Sequence, residues 1–347
     1  METHVIIMAG GIGSRFWPMS TPSHPKQFVD VLGCGKTMIQ LTAERLEPIC
    51  PVENMWIVTS EKYVKEVMHS LPLIPDSNIL AEPEARNTAP CIAYASWKIA
   101  REHPDANIIV CPSDAFIQDD EAYRAVLERA LRFTAQTPSI VTVGIRPVRP
   151  ETGYGYILAS EGDDDILKVS SFKEKPSLEV AREYLADGHY LWNAGIFVWN
   201  VRTIVDSIRR YAPQIAEVMD RISGSFFTDA EPEMLRDWFP RCDKISIDYA
   251  VMEKSPDIYT IPGDFGWSDV GTWGSLLELS DRDGDSNAVI SQNADVSFYE
   301  TRGCIVHTSG LKKIVLQGLE DYIVAENDGS LLICKISEEQ RIKDFQK

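Results

Sequence analysis

The stretch His4–Phe28, HVIIMAGGIGSRFWPMSTPSHPKQF, joins a short apolar run to a glycine-rich loop. The run His4–Met8 has the length and character of a buried strand. The loop after it holds three glycines together with Arg15 and Lys26. In sheets built from βαβ units, ligands bind beyond the carboxyl ends of the strands. This stretch therefore predicts both an α/β fold and the place of a binding site.

The loop does not match the two commonest phosphate-binding fingerprints. No Gly-Lys-Ser/Thr closes it, and Phe16 stands where a dinucleotide fingerprint needs its third glycine. A plain strand-to-helix turn would explain the glycines alone. The two cations favour phosphate binding, because glycines let backbone N–H groups approach a phosphate chain that Arg15 and Lys26 would neutralise.

The overall charge makes these local cations informative. The 347-residue chain carries 52 acidic and 34 basic side chains, a formal charge of −18. General nucleic-acid binding and docking on anionic lipid both need a basic surface, so the composition argues against them. Any phosphate-bearing ligand must therefore meet locally placed cations or a metal ion.

Cysteine usage and hydropathy give an expectation for the compartment. The seven cysteines lie far apart with no C-x-x-C pair, which indicates reduced thiols and neither a disulfide framework nor a zinc site. No apolar run approaches the roughly 18 residues that a membrane-spanning helix needs, and no signal-peptide pattern opens the chain. We expect a cytoplasmic protein.

The first half of the chain alternates strand and helix patterns. Apolar runs at Met55–Thr59, Asn107–Cys111 and Ser139–Ile145 predict further buried strands, and three- and four-residue periodicity predicts helices over Thr88–Glu102 and Glu121–Ala135. This alternation is typical of a mainly parallel sheet.

After Pro150 the strands shorten and turn signals become frequent. A helix is predicted between an N-cap at Ser177 and a stop at Gly188, and one long helical pattern covers Val201–Ile222. We expect an inserted mixed sheet that carries half of a cleft.

The last part of the chain predicts a separate β-rich domain. Asp281–Asn287 is the best linker candidate, Ala288–Lys335 is nearly all short strand material, and Ser337–Phe345 predicts a polar terminal helix. The predicted domains are residues 1–284 and residues 285–347.

Two acidic loops could hold a metal ion. Asp114 follows the predicted strand at Asn107–Cys111, and the loop Gly263–Trp273, GDFGWSDVGTW, offers Asp264 and Asp269. Carboxylates from distant strand ends suit Mg²⁺, which prefers oxygen ligands and keeps part of its shell for substrate phosphates. A turn or cap role explains each aspartate equally well from spacing alone.

Another segment, Ala81–Ala95, carries helix-capping residues and an unexplained carboxylate. Asn87 or Thr88 would cap the helix, which leaves Glu82 and Arg86, both expected to be exposed, without a local role. A carboxylate can accept the N1–H and N2–H₂ donors of guanine together, a pairing that adenine cannot offer.

Polar residues also stand in the strands after Pro150. Glu174 and Lys175 in FKEKP would ordinarily be turn residues, and Asn193 lies in the apolar run Leu191–Val201. A buried asparagine needs a hydrogen-bond partner, and a sugar hydroxyl would serve.

Eight segments between Met1 and about Trp273 carry a family resemblance. In chain order they are AGGIGSRFWPMS…PKQF, EP…RNTAP, PSD, GYGYI, FKEKP, WNAGIFVWN, SIDYAVMEK and GWSDVGTW. Together they closely resemble the mannose-1-phosphate guanylyltransferases (GDP-mannose pyrophosphorylases) of the sugar-nucleotidyltransferase superfamily. The chain is near the length of their short, single-activity forms, which lack an additional cupin domain.

The resemblance implies a fold, a reaction and a quaternary structure. The fold is a Rossmann-like nucleotidyltransferase core with a mainly parallel mixed sheet, followed by a small C-terminal β domain that is left-handed β-helix-like. The reaction transfers GMP from GTP to α-D-mannose 1-phosphate with Mg²⁺ and yields GDP-mannose and pyrophosphate. The β domain is often used in dimerisation, so a homodimer is expected.

The resemblance also implies roles for particular residues. The nucleotide would be bound by Ala9, Gly10, Gly11, Gly13, Ser14, Glu82, Asn87 and Thr88. The catalytic cations would be Arg15 and Lys26, and the metal ligands Asp114 and Asp269. The sugar phosphate would be bound by Gly155, Glu174, Lys175 and Asn193. One departure is Ala115, since many relatives read PSDH where this chain reads PSDA.

Two other functions stay open at this level. The chain could be another NTP:hexose-1-phosphate nucleotidyltransferase, which the segment Glu82–Pro90 would distinguish by its base preference. It could also be a non-catalytic, GDP-mannose-sensing regulatory subunit. Such subunits typically lose the metal carboxylates or the cationic loop, and this chain keeps both.

Overall fold

The structure, a computed structural model, describes residues 1–11, 13–160, 165–291 and 293–345. In these ranges the strands β1 to β17 are, in chain order, Thr3–Ala9, Met55–Ser60, Ile79–Glu82, Asn107–Pro112, Phe116–Ile117, Ile140–Ile145, Tyr156–Ala159, Leu167–Lys173, Tyr190–Asn200, Ile258–Gly263, Trp267–Ser268, Ala288–Ile290, Asp295–Tyr299, Ile305–Thr308, Lys313–Gln317, Tyr322–Asn327 and Ser330–Lys335. The helices α1 to α10 are Met38–Leu46, Val64–Ser70, Thr88–Glu102, Asp120–Thr134, Leu178–Asp187, Val201–Tyr211, Pro213–Ser223, Glu231–Trp238, Trp273–Leu279 and Ile342–Phe345.

The chain divides into two compact units. Unit 1 comprises Met1–Gly10, Ala43–Pro112 and Ile117–Trp267. Unit 2 comprises Gly11–Thr42, Ser113–Phe116 and Ser268–Lys347. The domain boundary expected between residues 284 and 285 stays a prediction.

Unit 1 is built on a nine-stranded sheet with the order β3-β2-β1-β4-β9-β6-β10-β8-β7. Strands β3, β2, β1 and β4 run parallel to one another, β6 and β10 are parallel, and β9 lies antiparallel between β4 and β6. The residues from His4 to Ile7 are all buried, because both faces of the central strands are covered.

Helix α3 shows why the sequence folds this way locally. Asn87 accepts a hydrogen bond from Thr88 N and caps the helix, and Pro90 stands in the first turn, where a missing N–H costs nothing. The residues from Ala89 to Ile99 are buried, so the helix belongs to the core of unit 1 together with α6 and α7. Its bounds match the predicted ones.

Two expectations for the middle of the chain were wrong. The strands β7 and β8 continue the nine-stranded sheet and pair with β9 and β10, so no separate inserted sheet exists in unit 1 as described. The helical pattern Val201–Ile222 is two helices, α6 and α7, that meet at Ala212. Pro213 causes the break, since proline cannot donate the helical hydrogen bond and restricts the residue before it.

Unit 2 carries parallel β coils. Strands β12, β14 and β16 form one parallel ladder and β13 with β15 another. Asp295 pairs with Lys313 and Ile305 with Ile323, an offset of 18 residues, whereas Ala288 pairs with Ile305, an offset of 17. Side chains Val306, Ile314, Leu316 and Val324 fill the space between the ladders. The predicted α/β core with a β-rich C-terminal region is confirmed.

The opposite face of these coils packs on the N-terminal part of unit 2. Ile290, Ile305 and Ile323 join Phe16 and Trp273 in one buried apolar cluster. The segment that follows the glycines therefore packs on the β coils through Phe16 and other apolar side chains. Over the described ranges, no helix combines the length and the apolar character needed to cross a bilayer.

Candidate active site

The glycine-rich loop is folded tightly around Lys26 in unit 2. Gly13 has φ +68°, and a Cβ at this position would lie 2.4 Å from the Cβ of Lys26. The Ser20 hydroxyl donates to the Gly13 carbonyl, and the short 3₁₀ helix Ser14–Phe16 follows directly. Only glycine satisfies both the left-handed backbone and the close approach of Lys26.

Lys26 is buried, and its ammonium lies among oxygens of two loops. Nζ donates to Asp114 Oδ2 at 3.0 Å, to the Asp114 carbonyl at 3.1 Å and to the Asp269 carbonyl at 2.8 Å. The Lys26 side chain is 3% exposed, whereas that of Asp114 is 36% exposed. These three bonds occupy the three donors of the ammonium. Lys26 therefore brings the two predicted metal-binding loops together.

The loop that bears Asp269 is held by short local contacts. Asp269 Oδ1 accepts from Gly271 N at 3.0 Å, and a Cβ at residue 271 would lie 2.6 Å from Asp269 Oδ2. The carboxylates of Asp114 and Asp269 are the hard oxygen donors that Mg²⁺ prefers. Because both loops already surround one cation, the ammonium, their donor set fits a metal ion completed by water and phosphate oxygens.

Arg15, the second predicted cation, is exposed in unit 2. Burial raises the pKa of Glu339, while hydrogen bonds from Gly274 and Thr272 and the charge of Arg15 act in the opposite direction. Glu339 Oε2 accepts from Gly274 N at 2.8 Å. The C-terminal segment thus braces the start of α9, immediately after Asp269, and lies within electrostatic reach of Arg15.

The carboxyl ends of β1 and β3 bring together predicted nucleotide-binding residues of unit 1. The Ala9 carbonyl accepts from the Thr59 hydroxyl at 2.8 Å, and a Cβ on Gly10 would lie 3.8 Å from Glu82 Oε2. The expectation of an exposed Glu82 was wrong: the side chain is buried, because Glu82 is the last residue of β3 and lies against Gly10. Its Oε1 has no hydrogen-bond partner among the described residues. Burial raises the pKa of Glu82 to about 8. A desolvated carboxyl with an unpaired buried oxygen is costly and is typical of a ligand site.

Asn87 and Thr88 follow Glu82 and are engaged in structure. Asn87 has φ +71° and caps α3, and the Thr88 hydroxyl accepts from Ile247 N at 2.9 Å. These contacts fix the start of α3 beside the segment Ser246–Asp248. The exposed side of Asn87 remains available to a ligand.

The four predicted sugar-phosphate residues lie together in unit 1. A Cβ on Gly155 would stand 2.7 Å from Glu174 Oε2 and 3.3 Å from Asn193 Cβ, and Asn193 N donates to the Gly155 carbonyl at 2.8 Å. Lys175 N donates to the Tyr154 carbonyl at 3.2 Å. Glycine at residue 155 is therefore what allows the Glu174 carboxylate to reach this place.

Lys175 presents a cation at the exposed side of this group. Its side chain is 57% exposed, and Nζ lies 2.6 Å from Glu174 Oε1. Desolvation acts to lower the pKa of Lys175, but the hydrogen bond and charge of Glu174 outweigh it and raise the pKa. The ammonium keeps two further donors, which suits a phosphate.

The sequence expectation for Asn193 needs one correction. Asn193 Oδ1 accepts from the Thr142 hydroxyl at 2.8 Å and Gly195 N at 3.2 Å, and Nδ2 donates to Asp248 Oδ1 at 3.0 Å. The buried amide thus has protein partners and needs no sugar hydroxyl to satisfy it. One of its two N–H donors remains.

The sequence matches a known protein family over most of its length. The family model described as "Nucleotidyl transferase" matches residues 4–286, which is more than half of the chain. The chain belongs to the nucleotidyl transferase family. It is therefore an enzyme of the nucleotidyltransferase class, and this family generally uses a divalent metal ion.

The chain aligns over nearly its whole length with curated proteins that are longer than it is. This nucleotidyl transferase is 38% identical over 343 residues to "Xanthan biosynthesis protein XanB" of Xanthomonas campestris pv. campestris, and the alignment covers 98% of this chain and 71% of that protein. It is 36% identical to "Mannose-1-phosphate guanylyltransferase" of Escherichia coli strain K12, over 99% of this chain and 72% of that one. A crystal structure from Thermus thermophilus, described as "mannose-1-phosphate geranyltransferase", superposes with a TM-score of 0.89 at 31% identity, and the match covers 100% of this chain and 98% of that chain.

Sequence reasoning missed one charged residue of this nucleotidyl transferase. Asp248 opens a π-helical turn, Asp248–Met252, and accepts the hydrogen bond from Asn193. Burial and then the charge of Glu174 raise the pKa of Asp248 to about 6. The segment SIDYAVMEK contributed to the resemblance, but no local spacing signal links Asp248 to Asn193, 55 residues earlier.

A second missed group resembles a metal site but does not fit one. Glu2, His4 and His103 bring ligand-type atoms within 4.8 Å of one another in unit 1. Trp56 Nε1 donates to His4 Nδ1 at 3.1 Å, and burial lowers the pKa of His4 to about 4. The neutral ring then carries its proton on Nε2, which leaves that nitrogen no lone pair for a metal ion. The group is better described as a hydrogen-bonding cluster.

Proposed function

We propose that this nucleotidyl transferase transfers GMP from GTP to α-D-mannose 1-phosphate, giving GDP-mannose and pyrophosphate. The observation that carries the choice of base is the buried Glu82 carboxyl at the end of β3, whose Oε1 has no partner among the described residues. The choice of sugar is supported by the E. coli relative, whose name states mannose 1-phosphate.

Glu82 would select guanine through its ionised form. A carboxylate only accepts hydrogen bonds, and guanine offers N1–H and N2–H₂ on one edge. Adenine presents an unprotonated N1 there, which would leave the buried carboxylate unpaired and repelled. Because the pKa of Glu82 is about 8, binding guanine near pH 7 in this way releases the proton that the free carboxyl holds.

The nucleophile needs no general base. A phosphate monoester has a second pKa near 6, so the sugar phosphate is largely a dianion at neutral pH. The oxygen of this dianion attacks the α-phosphorus of GTP in line, and the bond to pyrophosphate breaks. Catalysis then consists of positioning and charge neutralisation. Lys175 would hold the nucleophilic phosphate through the donors that Glu174 does not use.

Arg15 and Lys26 would neutralise the triphosphate. The backbone N–H groups of Gly11 and Gly13 can approach phosphate oxygens closely, and Arg15 is exposed, so its guanidinium is accessible to a phosphate. Lys26 must exchange at least one of its three oxygen partners for a phosphate oxygen. Because Lys26 is hydrogen-bonded to the loops of Asp114 and Asp269, this exchange of partners would couple nucleotide binding to the arrangement of the two acidic loops.

Asp114 and Asp269 would hold Mg²⁺. When bound, the ion supplies charge neutralisation to the phosphate oxygens.

We predict that Asp269→Asn removes Mg²⁺-dependent turnover and leaves the fold intact. The fold survives because Asn keeps an oxygen for Gly271 N and the backbone carbonyl that Lys26 uses. Turnover is measured against Mg²⁺ concentration, and circular dichroism reports the fold. Full activity in this variant would exclude Asp269 as a ligand.

The activity is tested by a substrate grid. Pyrophosphate release from the purified protein with Mg²⁺ is measured for GTP, ATP, UTP and dTTP, each with mannose, glucose and fucose 1-phosphates. Release confined to GTP with mannose 1-phosphate supports the proposal. Activity with another pair would keep the reaction class and overturn the specificity. No release anywhere on the grid, together with GDP-mannose binding, would favour a regulatory subunit.

A further inference from the structure

The sugar-phosphate group of unit 1 contains more negative charge than phosphate binding requires. Glu174 and Asp248 are close enough for their charges to interact, and Lys175 lies near both. Glu174 is buried, and Asp248 is half-buried. A site built for a phosphate alone would concentrate cations, so these carboxylates need another explanation.

Carboxylates of this kind accept hydrogen bonds from hydroxyl groups. A hexose presents several hydroxyls and no charge apart from its phosphate, so two carboxylates beside one lysine match its division into a neutral ring and an anionic group. Tyr154 packs edge-on against Trp192 at 5.2 Å and against Trp267 at 5.3 Å between ring centroids. Aromatic surfaces next to carboxylates suit the apolar C–H faces of a sugar ring.

Asp248 also determines which way the Asn193 amide faces. Thr142 and Gly195 donate to the amide oxygen, and Asp248 accepts from the amide nitrogen. Donors on one side and an acceptor on the other leave a single orientation of the amide. The second N–H of Asn193 is thereby held in a fixed orientation, on a side chain whose Cβ lies next to Gly155.

We propose that Asp248 is a specificity-determining residue for the sugar: its carboxylate accepts a hydrogen bond from a ring hydroxyl of the hexose phosphate and orients Asn193 toward the same ring. The inference rests on the proposed function and extends it to a residue outside the predicted site. It commits to a neutral hydroxylated hexose 1-phosphate as the ligand of this group.

The experiment is a chemical double-mutant cycle. Wild type and Asp248→Asn are compared at saturating GTP with mannose 1-phosphate and with its 2-, 3-, 4- and 6-deoxy analogues. Asp248→Asn keeps the size of the side chain and removes the charge. With mannose 1-phosphate we expect KM to rise about 10-fold to 100-fold, the usual range for losing a hydrogen bond to a charged group, while KM for GTP changes less than about twofold.

The deoxy analogue that lacks the contacted hydroxyl identifies the contact. For that analogue the penalty of Asp248→Asn should fall to within about twofold, because the bond is already missing from both enzymes. The matched control is Asp237→Asn on the exposed side of α8, which makes the same chemical change and should leave every KM unchanged. Thermal unfolding of each variant shows whether the fold is retained.

The outcomes separate this inference from the proposed function. An active wild type with the same Asp248→Asn penalty for mannose 1-phosphate and for every analogue, or with no penalty, would overturn the assignment of Asp248 alone. If another hexose 1-phosphate is the active partner on the grid, its deoxy analogues take the place of those of mannose. A wild type inactive with every pair would overturn the proposed function and this inference with it.

Discussion

At the scale of single residues, buried charge marks the candidate site. Glu82, Lys26 and Glu174 are all buried, although burial of an ionisable group normally opposes folding. Lys26 and Glu174 have charged partners, whereas Glu82 relies on a protonated carboxyl. The chain therefore holds several charges in places that favour ligand binding over stability.

The first residue-scale prediction concerns the two cations. Lys26→Ala and Arg15→Ala should each reduce turnover about 10²-fold or more, the usual cost of losing one preorganised group that stabilises transition-state charge. The measurement is kcat for pyrophosphate release. Lys65→Ala, an exposed lysine of α2, is the matched control. Near-wild-type turnover in both cation variants would contradict their assignment.

A second prediction at this scale concerns Glu82 and the choice of nucleotide base. Glu82→Gln replaces an acceptor oxygen with a donor, so KM for GTP should rise about 10-fold to 100-fold and the preference for GTP over ATP should shrink. Glu84→Gln, two residues along and exposed, should change neither. The proposal for the base fails if GTP remains equally preferred in the Glu82 variant.

The same substitution gives a prediction for stability against pH. The pKa of Glu82 is raised from its ordinary 4.5 to about 8 in the folded protein. Between these values the folded state holds a proton that the unfolded state has lost, so this group lowers stability as pH rises. Glutamine does not titrate. The unfolding temperature of Glu82→Gln relative to wild type should therefore increase from pH 5 to pH 8, and a constant difference would show that Glu82 is ionised throughout.

At the scale of elements, glycine positions decide how loops approach one another. Gly13 and Gly35 both have positive φ, at +68° and +85°. A Cβ on Gly13 would meet the Cβ of Lys26 at 2.4 Å, whereas a Cβ on Gly35 would have no neighbour within 4 Å. Substituting alanine at Gly35 therefore tests the effect of backbone strain alone, and substituting it at Gly13 tests backbone strain together with displacement of Lys26.

We predict that Gly13→Ala loses both stability and activity, whereas Gly35→Ala loses only stability. Each variant should cost about 1–3 kcal/mol of unfolding free energy for the left-handed backbone. In Gly13→Ala, Lys26 must also move, so kcat should fall by at least about tenfold. Denaturant unfolding and steady-state kinetics measure the two effects. Equal activity in both variants would show that the position of Lys26 is not critical.

Local signals predicted many elements well. Asn87 directly precedes α3 as its N-cap, and Gly188 directly follows α5 as its C-cap, as the sequence predicted. The turn Asp328–Gly329 joins β16 and β17, and both of its residues have positive φ. The apolar periodicity of Val201–Ile222 continues past Ala212 and so predicts one helix, whereas Pro213 divides the segment into α6 and α7.

At the scale of the whole molecule, the β coils of unit 2 present apolar side chains to solvent. Val315, Leu331 and Ile333 are each more than half exposed. The family resemblance predicts a homodimer, and Leu331 and Ile333 lie on β17, the edge strand of the sheet β12-β14-β16-β17, where an exposed strand edge can pair with another chain. The quaternary state stays a prediction.

Light scattering during gel filtration tests it. Wild type should elute at twice the chain mass of 39.0 kDa, and the double variant Leu331→Glu with Ile333→Glu at the mass of one chain. The control places the same two charges in unit 1, at Leu73 and Val148, which are 77% and 75% exposed, and should remain dimeric. A wild type of 39.0 kDa at micromolar concentration would contradict the dimer.

The sequence by itself determined the α/β class, the glycine loop with its two cations and the acidic loops, because these depend on residue type and on position at strand ends. The four sugar-phosphate candidates came from the family resemblance of its motifs. Only the tertiary structure decided which atoms meet. Lys26 bonds to Asp114 and Asp269, 88 and 243 residues away, and Asp248 orients Asn193 across 55 residues. Such pairings follow from the order and register of strands in the sheet and from the packing of loops, which no local pattern of side chains encodes.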